Sequence, residues 1–444
     1  MTHPDNLAVI ILAAGKGTRM KSTQPKVLHG FAGRPMLGHM LAALQPLKPS
    51  RTVVITGFGA DAVEAYCNAH FPGCEFVRQT EQKGTGHAVQ VCEPLLGAHQ
   101  GPIIILYGDV MLNLRPDVLA TLAQHHTKNA QGLTLLAATV ADPTGLGRMF
   151  EDHGRVRIVE EKDCDEAQRQ VKTANPGIYA VHGPALWPLL RELKTDNAQA
   201  ELYLTDIVAL APDHGTPVAM CKVPAERAEM GVNSRAELAA MDALWQARKR
   251  KELMDGGVTL IGPETCFFSH DTAIGPDSVV GPFVVCGVGV TVAGGTTLNA
   301  FTHLEGTQVG TGAIIGPYSR TRPGTVLGEN VHLGNFVEVK NSTLGQGTKA
   351  NHLSYIGDAD VGAQVNLGAG TITANYNSKT KVKSRTTIGN HASTGSQTVL
   401  VAPVTLAEGT MTGAGTIIRK NTEAYSLVTD AKEQLVKPGY AKTK

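Results

Sequence analysis

The chain is poor in aromatic residues, which make up 5% of its 444 positions, and it carries almost no net charge, with 40 basic residues against 39 acidic ones. So even a balance argues against a nucleic-acid or membrane-surface protein. Long hydrophobic runs are missing too. The apolar stretch Leu7–Ala14 is far too short to span a bilayer, and no charged-then-apolar leader precedes a cleavage site. Seven cysteines (Cys67, Cys74, Cys92, Cys164, Cys221, Cys266 and Cys286) lie scattered, with no CxxC pair. That pattern argues against a zinc or disulfide framework. Together the absences imply a soluble protein of a reducing compartment, the cytoplasm. What is abundant is glycine, at 49 residues, well above the usual share of about 7%. Repeats with tight corners need glycine and leave little room for rings, so a regular all-β region is expected. At this length two or three units are expected.

The text changes grammar along the chain. Up to about residue 233, short apolar strands such as Ala8–Leu12, Thr52–Thr56, Ile103–Tyr107 and Leu133–Val140 alternate with helix-like stretches. This rhythm predicts an α/β domain with a mostly parallel, doubly covered sheet. Residues 234–257 read as one linker helix, with Ser234 as its cap and Asp255-Gly256-Gly257 as its stop. From 258 to 444 small or apolar residues recur every six positions: Ile274, Val280, Cys286, Val292, Leu298, Leu304, and onward to Ile418. A period of six predicts a parallel β-helix of hexapeptide repeats, three hexads to a triangular coil. Between Thr373 and Ile388 the period breaks, and an extended loop leaving a regular rod usually has a job.

Two sets of polar residues stand out. In the first half, the strand Ala8–Leu12 runs into Ala13-Ala14-Gly15-Lys16-Gly17-Thr18-Arg19. A glycine turn there offers backbone N–H groups to a phosphate or a base. Arg19 and Lys26 add positive charge, and Asp109 follows the buried strand that ends in Tyr107-Gly108. That position is where α/β ligands bind, and its carboxylate suits Mg²⁺. In the repeats, Arg320–Gly324, Gly334–Lys340 and Lys349–Tyr355 are unusually polar and bulky for so regular a coil.

The stretches LAAGKGTRM and QPKVLHGFAGRPM, together with the segment Gln79–His87, resemble sugar-phosphate nucleotidylyltransferases. The repeat segments resemble the acetyltransferase half of the bifunctional bacterial N-acetylglucosamine-1-phosphate uridylyltransferases and glucosamine-1-phosphate acetyltransferases. The likeness spans nearly the whole chain, in order. It implies a Rossmann-like nucleotidylyltransferase domain, a linker helix, and a left-handed parallel β-helix that packs as a homotrimer. It also implies small-molecule substrates (UTP, N-acetylglucosamine 1-phosphate, glucosamine 1-phosphate and acetyl-CoA) and a product that feeds peptidoglycan and lipopolysaccharide synthesis.

Residue by residue, the resemblance places Leu12, Ala13, Ala14, Gly15, Gln79, Gly84, Thr85, Tyr107 and Gly108 around the nucleotide. Gly147, Glu160 and Asn175 fall around the sugar, Mg²⁺ on Asp109 and Asn233, and Lys26 and Arg19 on the phosphates. In the rod His352 is implied as general base, a task that suits an imidazole, with Glu338 orienting it. Arg322, Lys340, Tyr355 and Asn366 would hold the sugar phosphate. Ala369, Asn375, Tyr376, Ser396 and Ala414 would contact the sugar or the acetyl donor. The chain departs from the pattern at Pro176 and Met111, changes that bear on sugar affinity and leave the reaction type alone. The loop carrying Lys379, Lys381, Lys383 and Arg385 reads either as a solvated basic loop or as a contact to coenzyme A phosphates. Two other readings remain: a uridylyltransferase whose rod is only a trimer spacer, and a non-catalytic scaffold with degenerate sites.

Overall fold

The structure, a computed structural model, describes residues 6–110, 116–152, 155–197, 199–225, 231–430, 434 and 436–438. Met111 lies outside the described residues. The chain divides into two compact units, Met1–Leu244 and Trp245–Lys444.

The first unit is built on one ten-stranded sheet. Its strand Ala8–Leu12 is apolar throughout because both faces are covered. Val9 and Ile11 enter one core, and Ala8 and Ile10 enter the other. Cys74–Arg78, Arg51–Thr56, Ala8–Leu12 and Pro102–Tyr107 lie side by side and parallel. Beyond them the expected mostly parallel sheet turns mixed: Tyr179–His182 runs antiparallel to Pro102–Tyr107, and Arg148–Asp152 pairs antiparallel with Arg155–Val159. The second pair is a hairpin, and strands that close in sequence must return antiparallel, since a parallel crossover needs a dozen or more residues. The C-terminal ends of the four parallel strands gather Leu12, Thr56, Arg78 and Tyr107 at one edge. Loops extend the ladder there through Ala13 N–H to Ile55 O (2.9 Å), Gln79 N–H to Thr56 O (2.8 Å) and Gly108 N–H to Leu12 O (2.8 Å).

The helix Arg235–Asp255 contains the boundary between the units. Ser234 Oγ caps it by accepting from Glu237 N–H at 3.2 Å. At its far end Val258 N–H returns to Leu253 O at 3.1 Å, and both side chains are buried. This is the Schellman closure with its hydrophobic contact.

The second unit stacks short parallel strands into three sheets of ten, nine and eight strands, the faces of a left-handed β-helix. Each strand pairs with its counterpart one coil on, as in Val279↔Thr297, Thr297↔Ile314 and Ile314↔His332. The periodic residues form the inner rows: Val280, Leu298, Ile315 and Leu333 on the first sheet, Cys286, Leu304, Val339 and Ile356 on the second, Val292, Leu327 and Leu344 on the third. Threonines sit among them where an inward hydroxyl finds a backbone partner, as Thr348 Oγ1 does on Gly362 O at 2.7 Å; Thr302 and Thr386 are buried with hydroxyls that find none among the described residues. Steps of five residues (Leu304 to Val309, Leu344 after Val339) occur between the second and third sheets. The long break opens at that same edge and is a hairpin, with Tyr376 bridging Lys383 and Ser384 N–H bonding Asn375 O at 2.9 Å. Along the edge between the first and second sheets, Phe283, Phe301, Tyr318 and Phe336 stack with centroids 4.9, 4.9 and 5.4 Å apart, and Leu353 follows. All five side chains are exposed.

Candidate functional site

In the first unit two cavities meet at the carboxyl ends of the parallel strands. One is walled by Leu12, Ala13, Ala14, Gly15, Lys26, Gln79, Gly84 and Thr85. The other is walled by Arg19, Gly147, Glu160, Asn175 and Asn233. Tyr107 and Asp109 border both. Gly108 does not line either; it is buried between them and holds the turn through its bond to Leu12.

Gln79 is pinned by Nε2, which bonds Gly84 O and meets His87 Nδ1, each at 3.2 Å. Lys26 Nζ donates to Asp109 Oδ2 and, at 3.0 Å, to Asn233 Oδ1. Two oxygens from distant segments therefore converge on one cationic point. Asn233 is held there by its own N–H, which donates to Glu237 Oε2 at 2.6 Å, and by Val232 N–H on Asp109 O at 3.0 Å. On the other side, Asn175 N–H bonds Gly147 O at 2.9 Å, and its side chain bridges Gly177 N–H (2.9 Å) and the Tyr179 hydroxyl (3.1 Å). Pro176 thus sits inside an Asx turn that fixes the Asn175 amide. Burial pushes the Glu160 carboxyl up from its ordinary value, helped by Asp163 and Asp206. Burial likewise pushes the Tyr107 phenol up to about 12, so it stays a neutral donor.

Sequence reasoning passed over several wall residues, among them Gln82, Glu237 and Glu201. Gln82, whose Nε2 reaches Ala14 O at 3.2 Å, lies inside the quoted segment Gln79–His87. Glu237 is the third residue after the Ser234 cap, and a capping-box reading would have singled it out. Glu201 arrives on a loop with no periodicity, and nothing in the sequence marks it.

In the second unit the implied residues fall on two faces and the edge between them. His352, Ala369, Ser396 and Ala414 succeed one another along the edge between the first and second sheets. Their alignment follows from Gly370 N–H on His352 O (3.2 Å), Gln397 N–H on Ala369 O (2.7 Å) and Gly415 N–H on Ser396 O (2.8 Å). Below His352 this edge carries the aromatic stack; above it Ala369, Gly370, Ser396, Ala414 and Gly415 are small, and Gln397 lies over Gly370. Arg322, Lys340 and Tyr355 belong to the second sheet, Arg322 pairing with Lys340 in register. Asn366 belongs to the first sheet, between Lys349 and Ser393. Asn375 is buried, its amide donating to Asp358 Oδ2, whereas Tyr376 is exposed on the hairpin.

Two expectations change here. His352 Nδ1 meets Asn335 Oδ1 at 3.1 Å, while Glu338 accepts from Arg322 Nη1 at 3.1 Å and is engaged away from the histidine. Asn335 precedes His352 by one coil, and aligning Gly334-Asn335-Phe336 on Asn351-His352-Leu353 would have found it. In the basic loop, Arg385 is committed to Asp360, with Nε at 2.9 Å from Oδ2. Lys383 instead sits beside Lys340, and the side-chain hydrogen bond between them, followed by the positive charge of Lys340, pulls Lys383 below the usual lysine range. The four charges are thus not one uniform patch.

A doubly covered sheet with adjoining cavities at its strand ends, followed by a hexapeptide rod, defines a nucleotidyl-transferring enzyme with an appended β-helix. Residues 9–259 match the family model described as a MobA-like NTP transferase domain. The chain is 46% identical over 443 residues to the bifunctional protein GlmU of Sphingopyxis alaskensis, covering 99% of this chain and 96% of that one. It is 44% identical over 445 residues to the bifunctional protein GlmU of Zymomonas mobilis (100% and 98%), and 45% identical over 435 residues to that of Roseobacter denitrificans (98% and 95%). The chain belongs to the bifunctional GlmU family.

Proposed function

We propose that this chain makes UDP-N-acetylglucosamine in two steps, with residues 258–444 acetylating glucosamine 1-phosphate and residues 1–233 joining the product to UMP from UTP. The helix of residues 234–257 links them. The observation that carries the uridylyl reading is that Tyr107 and Asp109 border both cavities, so a nucleotide in one and a sugar phosphate in the other would meet there. The sugar phosphate oxygen attacks the α-phosphorus in line as the bond to pyrophosphate breaks. The nucleophile is already an anion, so no side-chain base is needed, and positioning and charge neutralisation remain. Lys26 and Arg19 supply positive charge. Gln79 and the Gly84–Thr85 backbone orient the base. Asp109 and Asn233 would hold Mg²⁺; the fit is supported by two hard oxygens already arranged about a cation, the Lys26 ammonium. When bound, the ion would add to the neutralisation of phosphate charge.

In the rod, Nδ1–H of His352 donates to Asn335, which leaves Nε2 with its lone pair free. Nε2 takes the proton of the sugar amine as nitrogen attacks the thioester carbonyl, and the imidazolium returns that proton to the departing coenzyme A sulfur, which leaves as the thiol. Arg322, Lys340 and Lys383 form a cationic cluster for the sugar phosphate, and the small-residue edge above His352 leaves room for an extended donor. Asn366, on the neighbouring face, belongs to the pocket only if a second rod brings its first sheet against this second sheet. The exposed aromatic stack along the same edge supports that packing, and we read the active form as a cytoplasmic homotrimer. A monomer in analytical ultracentrifugation that still acetylates would contradict the shared site.

The test is one assay with two readouts. Purified protein receives glucosamine 1-phosphate, acetyl-CoA, UTP and Mg²⁺, and free thiol and pyrophosphate are followed together. Asp109→Ala should abolish pyrophosphate release alone. His352→Ala should abolish both signals and recover pyrophosphate when N-acetylglucosamine 1-phosphate is supplied. If thiol never appears while that substrate and UTP still give pyrophosphate, the rod is only a spacer.

A further inference from the structure

The implied sugar contacts of the first unit form one row in the mixed part of its sheet. Ala174 pairs with Arg148, and Arg148 pairs with Val159. The next residues out, Asn175, Gly147 and Glu160, therefore lie side by side. Asn175 N–H bonds Gly147 O at 2.9 Å, and an ideal Cβ on Gly147 would lie 3.4 and 3.5 Å from the two Glu160 carboxylate oxygens. In the row beneath, Arg148 is 1% exposed. Burying a guanidinium is costly unless its charge and its donors are met.

They are met on either side of that row. Nη1 donates to Leu146 O, just before Gly147, and lies 2.6 Å from Glu161 Oε2, just after Glu160. Glu161 Oε2 makes no hydrogen bond among the described residues, so that tie is one of charge. Nη2 donates to Arg169 O at 3.3 Å, on the short helix Glu166–Arg169. Nε has no hydrogen-bond partner among the described residues, so the whole hold runs through the two terminal nitrogens.

We propose that Arg148 is a positioning residue for sugar-phosphate recognition, acting through Gly147 and Glu160; this rests on the reading of the second cavity as the sugar's. Gly147 precedes the strand Arg148–Asp152, and Glu160 follows the strand Arg155–Val159. Their ladder of register pairs stops at Arg148↔Val159, so past it the two segments are free to splay. Arg148 closes that open end by holding the flank of each. Gly147 stays bonded to Asn175 without it, which makes Glu160 the member that moves when the clip is lost. Leu146, Glu161 and Arg169 do not border the nucleotide cavity, so the effect falls on the sugar phosphate and not on UTP.

The full chain is assayed for pyrophosphate release in separate titrations of N-acetylglucosamine 1-phosphate and UTP, beside urea unfolding. Arg148→Lys keeps a charge opposite Glu161, but one ammonium cannot hold three groups at once as a planar fork does. Arg148→Met combined with Glu161→Leu replaces the pair by apolar side chains of similar volume, an exchange that buried ion pairs often tolerate without loss of stability. Both variants should raise KM for N-acetylglucosamine 1-phosphate by about 10- to 100-fold, the scale of a displacement of about 1 Å. KM for UTP and the rate of acetyl transfer should stay at wild-type values. Asn175→Ala, in the row itself, is the control and should raise the same KM. If it does and the Arg148 variants do not, Arg148 has no positioning role. If none of the three raises it, the cavity does not hold the sugar and the proposal falls with that reading. A loss of stability with both KM values rising together marks a merely structural pair and also overturns it.

Discussion

Two glycines of one turn make opposite demands, and that contrast tests whether the first cavity is a binding wall. An ideal Cβ built on Gly15 meets nothing within 4 Å, its backbone lies outside the left-handed region, and it borders the cavity. Gly17 has φ +60, and a Cβ there would lie 2.6 Å from Lys26 Cβ. Gly15→Ala should therefore leave the fold intact or stabilise it by about 0.4–1 kcal/mol, while placing a methyl group where the nucleotide would sit. Displacing a close-packed ligand by one methyl costs about 1–3 kcal/mol, which is roughly 5- to 150-fold in kcat/KM for UTP. Gly17→Ala should cost about 1–2 kcal/mol in left-handed strain alone, plus the shift of the Lys26 stem, and should lower stability and rate together. The assay is pyrophosphate release across a UTP titration, beside urea unfolding, with thiol release from acetyl-CoA as an internal control that neither change should touch. If Gly15→Ala keeps the wild-type kcat/KM, the loop is not a ligand wall and the cavity assignment fails. If it unfolds as readily as Gly17→Ala, the reading of open space is wrong.

In the rod, Asn335→Ala should lower the kcat of acetyl transfer by about 10- to 100-fold, as loss of the group that orients a histidine does at metal sites, with uridylyl transfer unchanged; an unaltered thiol-release rate would refute the tautomer argument. Lys383→Ala should raise the KM for glucosamine 1-phosphate, whereas Lys379→Ala and Lys381→Ala should not, and steady-state titrations at low salt decide between them. The third expectation concerns acid. Burial, with a smaller contribution from His182, lowers His126 to about 4, and its Nε2 has no hydrogen-bond partner among the described residues. In the unfolded chain the same ring takes its proton near 6.5. The folded form is therefore undisturbed above that pH and loses stability as pH falls from about 6.5 toward 4, by about 3 kcal/mol in all. Urea unfolding of the first unit at pH 7 and pH 5 should show the loss, and His126→Leu should flatten it.

The rod was legible because one rule governs every coil: Val280, Leu298 and Ile315 repeat in sequence and stack in space. The five-residue steps escaped notice although the spacing records them, Leu304 to Val309 and Val339 to Leu344, because the inward residue stays apolar and the period of six resumes at once on either side. In the first unit the strands Ala8–Leu12 and Pro102–Tyr107 announced themselves by apolar runs, as strands buried on both faces must. Strand direction did not, because a short strand such as Tyr179–His182 reads the same either way. Site residues followed the same division. Those on motifs bound to a strand end or a turn could be named, as with Gly15 and Asp109. Those delivered by tertiary closure could not: Glu201 reaches the cavity only because its loop packs on Gly84, where Leu202 N–H bonds Lys83 O at 2.8 Å.

The two halves also differ in what one chain can complete. In the first, every implied nucleotide and sugar residue other than the buried Gly108 lines one of two adjoining cavities, so a single copy presents the whole constellation. In the second, outward side chains on neighbouring faces of a triangular coil diverge around the corner that separates them. Arg322, Lys340 and Tyr355 point from one face and Asn366 from the next, and a compact sugar phosphate cannot touch both from outside a convex edge. Bringing them together requires a concave seam, and rods packed edge to face provide one. His352 stands on that edge with its free nitrogen outward. Assembly would therefore be part of the acetyl chemistry and incidental to the uridylyl chemistry, although one chain carries both.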